Sequence, residues 1–164
     1  MGCGHGRVEG AATRENCVCE ILRDIVDAQN DVVENCCDTS CEQSINDLLG
    51  ETDPGNGLDT VPVILYCAGD CKPFKGFGAK RGTTLTNPIG EMKSSFIFRV
   101  KRVTDDCCAV LELLRDPQDP CTCDHLKDPC DQSTENLENT GICITVDLDC
   151  FCHVTCLPAI SVFD

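Results

Sequence analysis

The chain has 164 residues, 41% of them hydrophobic, with 17 cysteines and a formal net charge of −15. That length suits one domain with a real core, so the cysteines do not rescue a scaffold too small to fold. The acidic balance argues against nucleic acid as a partner, because neutralising phosphates needs a basic face. No stretch approaches the roughly 20 apolar residues of a membrane span.

The expected organisation is a flexible arm over 1–15, rich in glycine and charge, followed by a single cysteine-rich domain over 16–164, helical over 16–50 and β-rich over 60–157. The arm has no apolar run behind a basic start, so the expectation is synthesis in the cytosol without a signal peptide. Asn16 can cap a helix with Glu20 in its first turn. Val18, Ile21, Leu22, Ile25, Val32 and Val33 then fall on one stripe, predicting a helix over 17–33. Ser40 followed by Gln43 resembles a capping box, and Ile45, Leu48, Leu49 and Gly50 behind it predict a second, short helix.

After a turn-rich linker over 51–57 the period changes to two. An apolar strand is predicted over 61–67, a turn over 68–72 and a returning strand over 73–78. Over 95–103, Phe96, Phe98 and Val100 alternate with Arg99 and Lys101, and with 107–114 this segment reads as a hairpin. Residues 116–141, with Pro117, Pro120 and Pro129, read as a long acidic loop. From Ile142 to Cys156 one parity holds so long that a bend near Asp149, from one sheet to another, is expected. The fold class is mainly β with an N-terminal α-helix, a two-layer antiparallel β sandwich.

Charge is unevenly spread: net −10 over 1–60, +6 over 61–103 and −11 over 104–164. A basic middle between acidic ends suits attraction between copies; the plainer reading is a solvated basic hairpin.

About one residue in ten is cysteine, the level at which a disulfide or metal framework becomes the default reading. The count is odd, so complete pairing within one chain leaves a thiol over. Cys3, Cys17, Cys19, Cys36, Cys37, Cys41, Cys121, Cys123 and Cys130 lie in the arm, helix ends and loops, and are candidates for bonds to another subunit. Cys67, Cys71, Cys107, Cys108, Cys143, Cys150, Cys152 and Cys156 lie in or beside strands, and are candidates for core positions or bonds within the chain. Structural zinc is the alternative: Cys37-x3-Cys41 and Cys67-x3-Cys71 fit its spacing loosely, but no C-x2-C occurs. Cys121, Cys123 and Cys130 with His125 form another possible ligand set, whereas His5 and His153 read as solvated or core residues. The missing C-x2-C also argues against a thiol oxidoreductase. There is no GxSxG, phosphate loop, HExxH or EF-hand loop, so no catalytic residue and no cofactor is assigned.

Four blocks resemble one family. They are GICITVDLDCFCHVTCL at 141–157, VPVILYC at 61–67 with KPF at 72–74 and Phe77, FRV at 98–100 with DCCAVL at 106–111, and Cys17-Val-Cys19 with its helix. They resemble the CotY/CotZ family of spore coat and exosporium proteins, which includes ExsY. The resemblance implies a structural, non-enzymatic protein of the outer coat crust or the exosporium basal layer. It implies self-assembly into six-fold two-dimensional lattices, by way of hexamers, with inter-subunit disulfides and docking onto other coat or exosporium proteins. Synthesis in the mother cell, with oxidation as that cell lyses, would reconcile many disulfides with no export signal.

Overall fold

The computed structural model describes residues 17–32, 37–50 and 55–163. The chain divides into two units, Met1–Asp38 and Thr39–Asp164.

The first unit contains α1, Cys17–Val32, at the predicted place. Val33, expected to extend it, lies outside the described residues. No side chain of α1 is buried, and the stripe of Ile21, Leu22, Ile25 and Val26 is about half exposed.

The second unit is mainly β: seven strands in two antiparallel sheets. It opens with α2, Cys41–Leu48. Ser40 caps α2, its hydroxyl accepting from the Gln43 amide at 3.0 Å. The Gln43 side chain turns forward to Asp47 at 2.8 Å, so the cap is one-sided where a reciprocal box was expected. Gly50, at φ +74°, closes the turn after α2 in a conformation that favours glycine.

The strands are β1 Val63–Cys67, β2 Gly76–Arg81, β3 Ile89–Ser95, β4 Phe98–Val103, β5 Cys108–Arg115, β6 Glu138–Asp147 and β7 Phe151–Cys156. β6, β5, β4, β1 and β7 form one sheet in that order, while β2 and β3 form a separate ribbon. The β4–β5 hairpin stands as predicted, with Phe98 opposite Leu113 and Val103 opposite Ala109. The strand expected over 95–103 begins earlier and is broken. The Ser95 hydroxyl takes the Ile97 amide at 2.9 Å, and the Gln132 side chain takes the Phe96 amide at 3.0 Å. These side chains satisfy backbone donors that a continuous strand would pair, so Phe96 and Ile97 form the step between β3 and β4. The return expected over 73–78 pairs with β3, and only Pro73 bridges back to β1, at Tyr66.

The bend near Asp149 is a three-residue 3-10 turn, Leu148–Cys150. Its two flanking strands were expected in different sheets; they are the opposite edges of the same one. In a flat sheet those edges would lie about 19 Å apart, beyond the roughly 14 Å that the link can span. The sheet therefore curves on itself, and β1 meets β4 through the single register pair Val63 and Phe98. Val63 and Leu65 of β1 thereby reach Leu111, Leu113 and Ile142 in one core cluster. The β2–β3 ribbon also packs on this assembly. A Cβ on Gly76 would sit 2.8 Å from both Phe98 and Ile144, so glycine is what allows the ribbon that close.

A second cluster joins Ile64, Ile97, Leu114, Leu137 and Val162. The segment after β7 returns beside Thr60, and the Asp59 carboxylate accepts from the amides of Val162 and Phe163. The acidic loop is packed, not loose: Leu126 is fully buried, and Gln132 is buried with its amide on Ser95 and Leu114.

Candidate functional site: the exposed cysteines

None of the described cysteines is buried. Cys150 and Cys152, candidates for core positions or bonds within the chain, are both exposed. The inward positions are taken by larger apolar side chains: Phe98, Leu111, Leu113 and Ile142. Cys150 falls on the 3-10 turn and Cys152 on the edge strand β7. Cys143 faces away from the core position of its neighbour Ile142 and is exposed.

Cys41 was expected to reach outward to another subunit; it is instead bonded to Cys156 at the end of β7, with 4.8 Å between Cα atoms. The Ser44 hydroxyl donates to the Leu157 carbonyl at 2.7 Å beside it. Hydrogen bond and disulfide together fix α2 on the last strand. Cys3 and Cys36 lie outside the described residues. Cys17 and Cys37 are exposed thiols in the first unit, and Cys19 is half-buried on α1.

In the second unit the thiols other than Cys143 form two groups. The first surrounds the link from β6 to β7. Leu148 donates to the Cys107 carbonyl at 2.9 Å and Ala68 to the Cys150 carbonyl at 2.7 Å, so one short turn brings Cys107, Cys108, Cys150, Cys67 and Cys71 to one end of the sheet. Asp106, burial, Asp147 and Asp149 all hold the Cys108 thiol above its ordinary pKa. Cys71 is likewise raised, first by a hydrogen bond to Cys152. Cys71 and Cys107 have left-handed backbones, φ +57° and +62°, the two non-glycine residues with positive φ among those described.

The second group is in the acidic loop. Burial first, then Asp119, raises the Cys121 pKa, and the Cys121 thiol donates to the Asp131 carbonyl at 3.3 Å. The Cys123 thiol donates to Met92 on β3 at 3.5 Å. His125 pairs through Nδ1 with the Thr122 hydroxyl, and Cys130 is exposed. These groups turn to separate partners and do not converge as a tetrahedral ligand set would. Among the described residues, no three of His, Cys, Asp or Glu are grouped to hold a metal ion.

The Asp119 carboxylate organises this loop. Burial works to raise its pKa, but the amides of Cys121 and Ser133 and the Arg115 guanidinium outweigh it and leave the pKa lowered. Lys75 donates to the carbonyls of Leu126 and Cys123 and lies over the Phe77 and Phe96 rings, pinning the cysteine-bearing segment to the ribbon. Strand alternation alone could not reveal the Lys75 anchor, which joins residues far apart in the chain.

The family model described as Spore coat protein Z matches residues 1–159. The chain is 34% identical over 154 residues to Spore coat protein Z of Bacillus subtilis (strain 168), a match covering 87% of this chain and 88% of that protein. No solved structure matches the chain.

Proposed function

Because the chain belongs to the Spore coat protein Z family, we propose that it is a structural protein of the spore surface whose subunits assemble and are then locked by disulfides. The observation that carries this reading is the outward placement of its thiols. Thiols meant only for a core would be buried; here they lie on α1, at one end of the sheet, along β6 and over the acidic loop. A subunit with sulfur facing several directions can be held by several neighbours, and such links reinforce one another.

The finer reading is a two-dimensional lattice of hexamers in the outer coat crust or exosporium basal layer, docked on other coat proteins and without catalytic activity. Assembly proceeds in two stages. Surface fit and attraction between the basic 61–103 segment and acidic segments of neighbours bring subunits together. Oxidation then locks those neighbours whose Cα atoms come within about 7 Å.

The test is negative-stain electron microscopy of the purified chain with and without reductant. Ordered sheets or closed shells that resist boiling detergent, and come apart only with reductant, are the expected result. A monomer under both conditions would overturn the proposal.

A further inference from the structure

Cys71 and Cys152 meet at one backbone carbonyl, that of Cys67. Cys71 sits on the turn after β1, where its amide donates to the Cys67 carbonyl at 2.9 Å. That bond and the left-handed backbone of Cys71 hold the turn against the end of β1, the strand that pairs with β7. Cys152 lies one residue past the Cys67–Phe151 register pair, and its thiol reaches the Cys67 carbonyl at 3.6 Å. The Cys71 amide and the Cys152 thiol therefore share the Cys67 carbonyl as acceptor, which brings the two residues side by side, and the nearby Cys152 is the first cause of the raised Cys71 pKa. Nδ1 of His153 stands 3.8 Å from the Cys152 sulfur, within reach of its proton. The His153 ring is itself fixed by stacking on Tyr66 at 3.7 Å. Both thiols are exposed, so an oxidant can reach them.

We propose that Cys71 and Cys152 are a dedicated redox pair that closes into a further disulfide within the chain before any bond to a neighbour forms. The oxidant is a low-molecular-weight disulfide. The Cys152 thiolate, its proton passed to His153 or water, attacks one sulfur of that disulfide and displaces a small thiolate, leaving a mixed disulfide. The Cys71 thiolate then attacks the Cys152 sulfur, forming the protein disulfide and expelling the second small thiolate. Two protein thiols are oxidised, one small disulfide is reduced, and two protons pass to the departing thiolates. Closure ties the turn at 68–72 to β7 and removes two exposed sulfurs from the set available for bonds between chains.

The pair lies within one subunit, so its closure is independent of lattice formation and is read on dilute, unassembled chains. The full chain, with its Cys41–Cys156 bond formed, is titrated with oxidised glutathione and digested on the N-terminal side of aspartate. Residues 70–104 carry Cys71 as their only cysteine, and 149–163 carry Cys150, Cys152 and Cys156. The first new cross-link expected joins these two fragments. C71S, a conservative change at an exposed site, should lose that link and accumulate one stable glutathionyl adduct on Cys152; C143S should behave as the parent. Two results overturn the proposal: a first cross-link elsewhere or between chains, or a C71S protein that loses thiols in pairs as the parent does.

Discussion

At the scale of residues, sulfur and carboxylate set the chemistry. The Cys41–Cys156 bond closes a separation of 115 residues, and such a link restrains the unfolded chain substantially. The C41S/C156S double variant should lose about 2–5 kcal/mol in denaturant unfolding without reductant. Adding reductant should bring the parent down to the same level. Cys107 holds a left-handed backbone that costs a non-glycine residue about 1–2 kcal/mol. Cys107→Gly should therefore raise stability by about 0.5–1 kcal/mol in reductant, after glycine's greater entropy loss is offset. Asp119 gives a pH signature. Its pKa is lowered on folding from an ordinary value of 3.8, so its contribution to stability is complete above that value. The contribution is lost as pH falls through the lowered folded pKa. Hydrogen exchange over 116–137 should accelerate at that acid edge, and D119N should already exchange faster at neutral pH. Unchanged exchange in D119N would show that the loop is held by other contacts.

At the scale of elements, close packing governs. Gly78 on β2 faces Ile142 on β6 with no room for a side chain. Gly78→Ala should lift the ribbon and cost about 1–3 kcal/mol, measured by thermal unfolding in reductant. Elements whose signals are local were readable from sequence: α1 from its stripe, α2 from Ser40 and Gly50, the β4–β5 hairpin from alternation and its turn. β3 was not, because Gly90, Glu91, Lys93 and Ser94 carry no apolar alternation. The break at Phe96 was hidden too, since its cause, Gln132, lies 36 residues away in sequence. The site divides the same way. Spacing indicates where thiols crowd, but whether a thiol meets another depends on non-local register. That is why Cys41 reads as outward-reaching and Cys71 reveals no partner until β7 is laid beside β1.

At the scale of the whole molecule, the proposed assembly divides labour between charge and sulfur. If the basic segment first draws neighbouring acidic surfaces together, association in reductant should weaken as salt shortens the screening length from about 10 Å at 0.1 M to about 3 Å at 1 M. Light scattering across that range reads the effect, and salt-independent association would remove charge from the first stage. Once oxidised, assemblies should ignore salt. Replacing Cys121, Cys123 and Cys130 together by serine should leave the monomer folded but lower the fraction of assemblies that survive boiling detergent without reductant. Equal survival would place the cross-links elsewhere, at Cys17, Cys37 or the exposed end of the sheet.

The pairing of β1 with β7 has a consequence in time. Of the seven described strands β1 leaves the ribosome first and β7 last, and α2, made earlier still, is bonded to β7's final residue. The β1–β7 ladder and the Cys41–Cys156 bond therefore cannot form until synthesis has reached Cys156. A nascent chain presents β1 with one edge unpaired and Cys41 without its partner. The five-stranded sheet is thus completed only once β7 has been made, and a chain still lacking it has neither its closing ladder nor its α2 anchor.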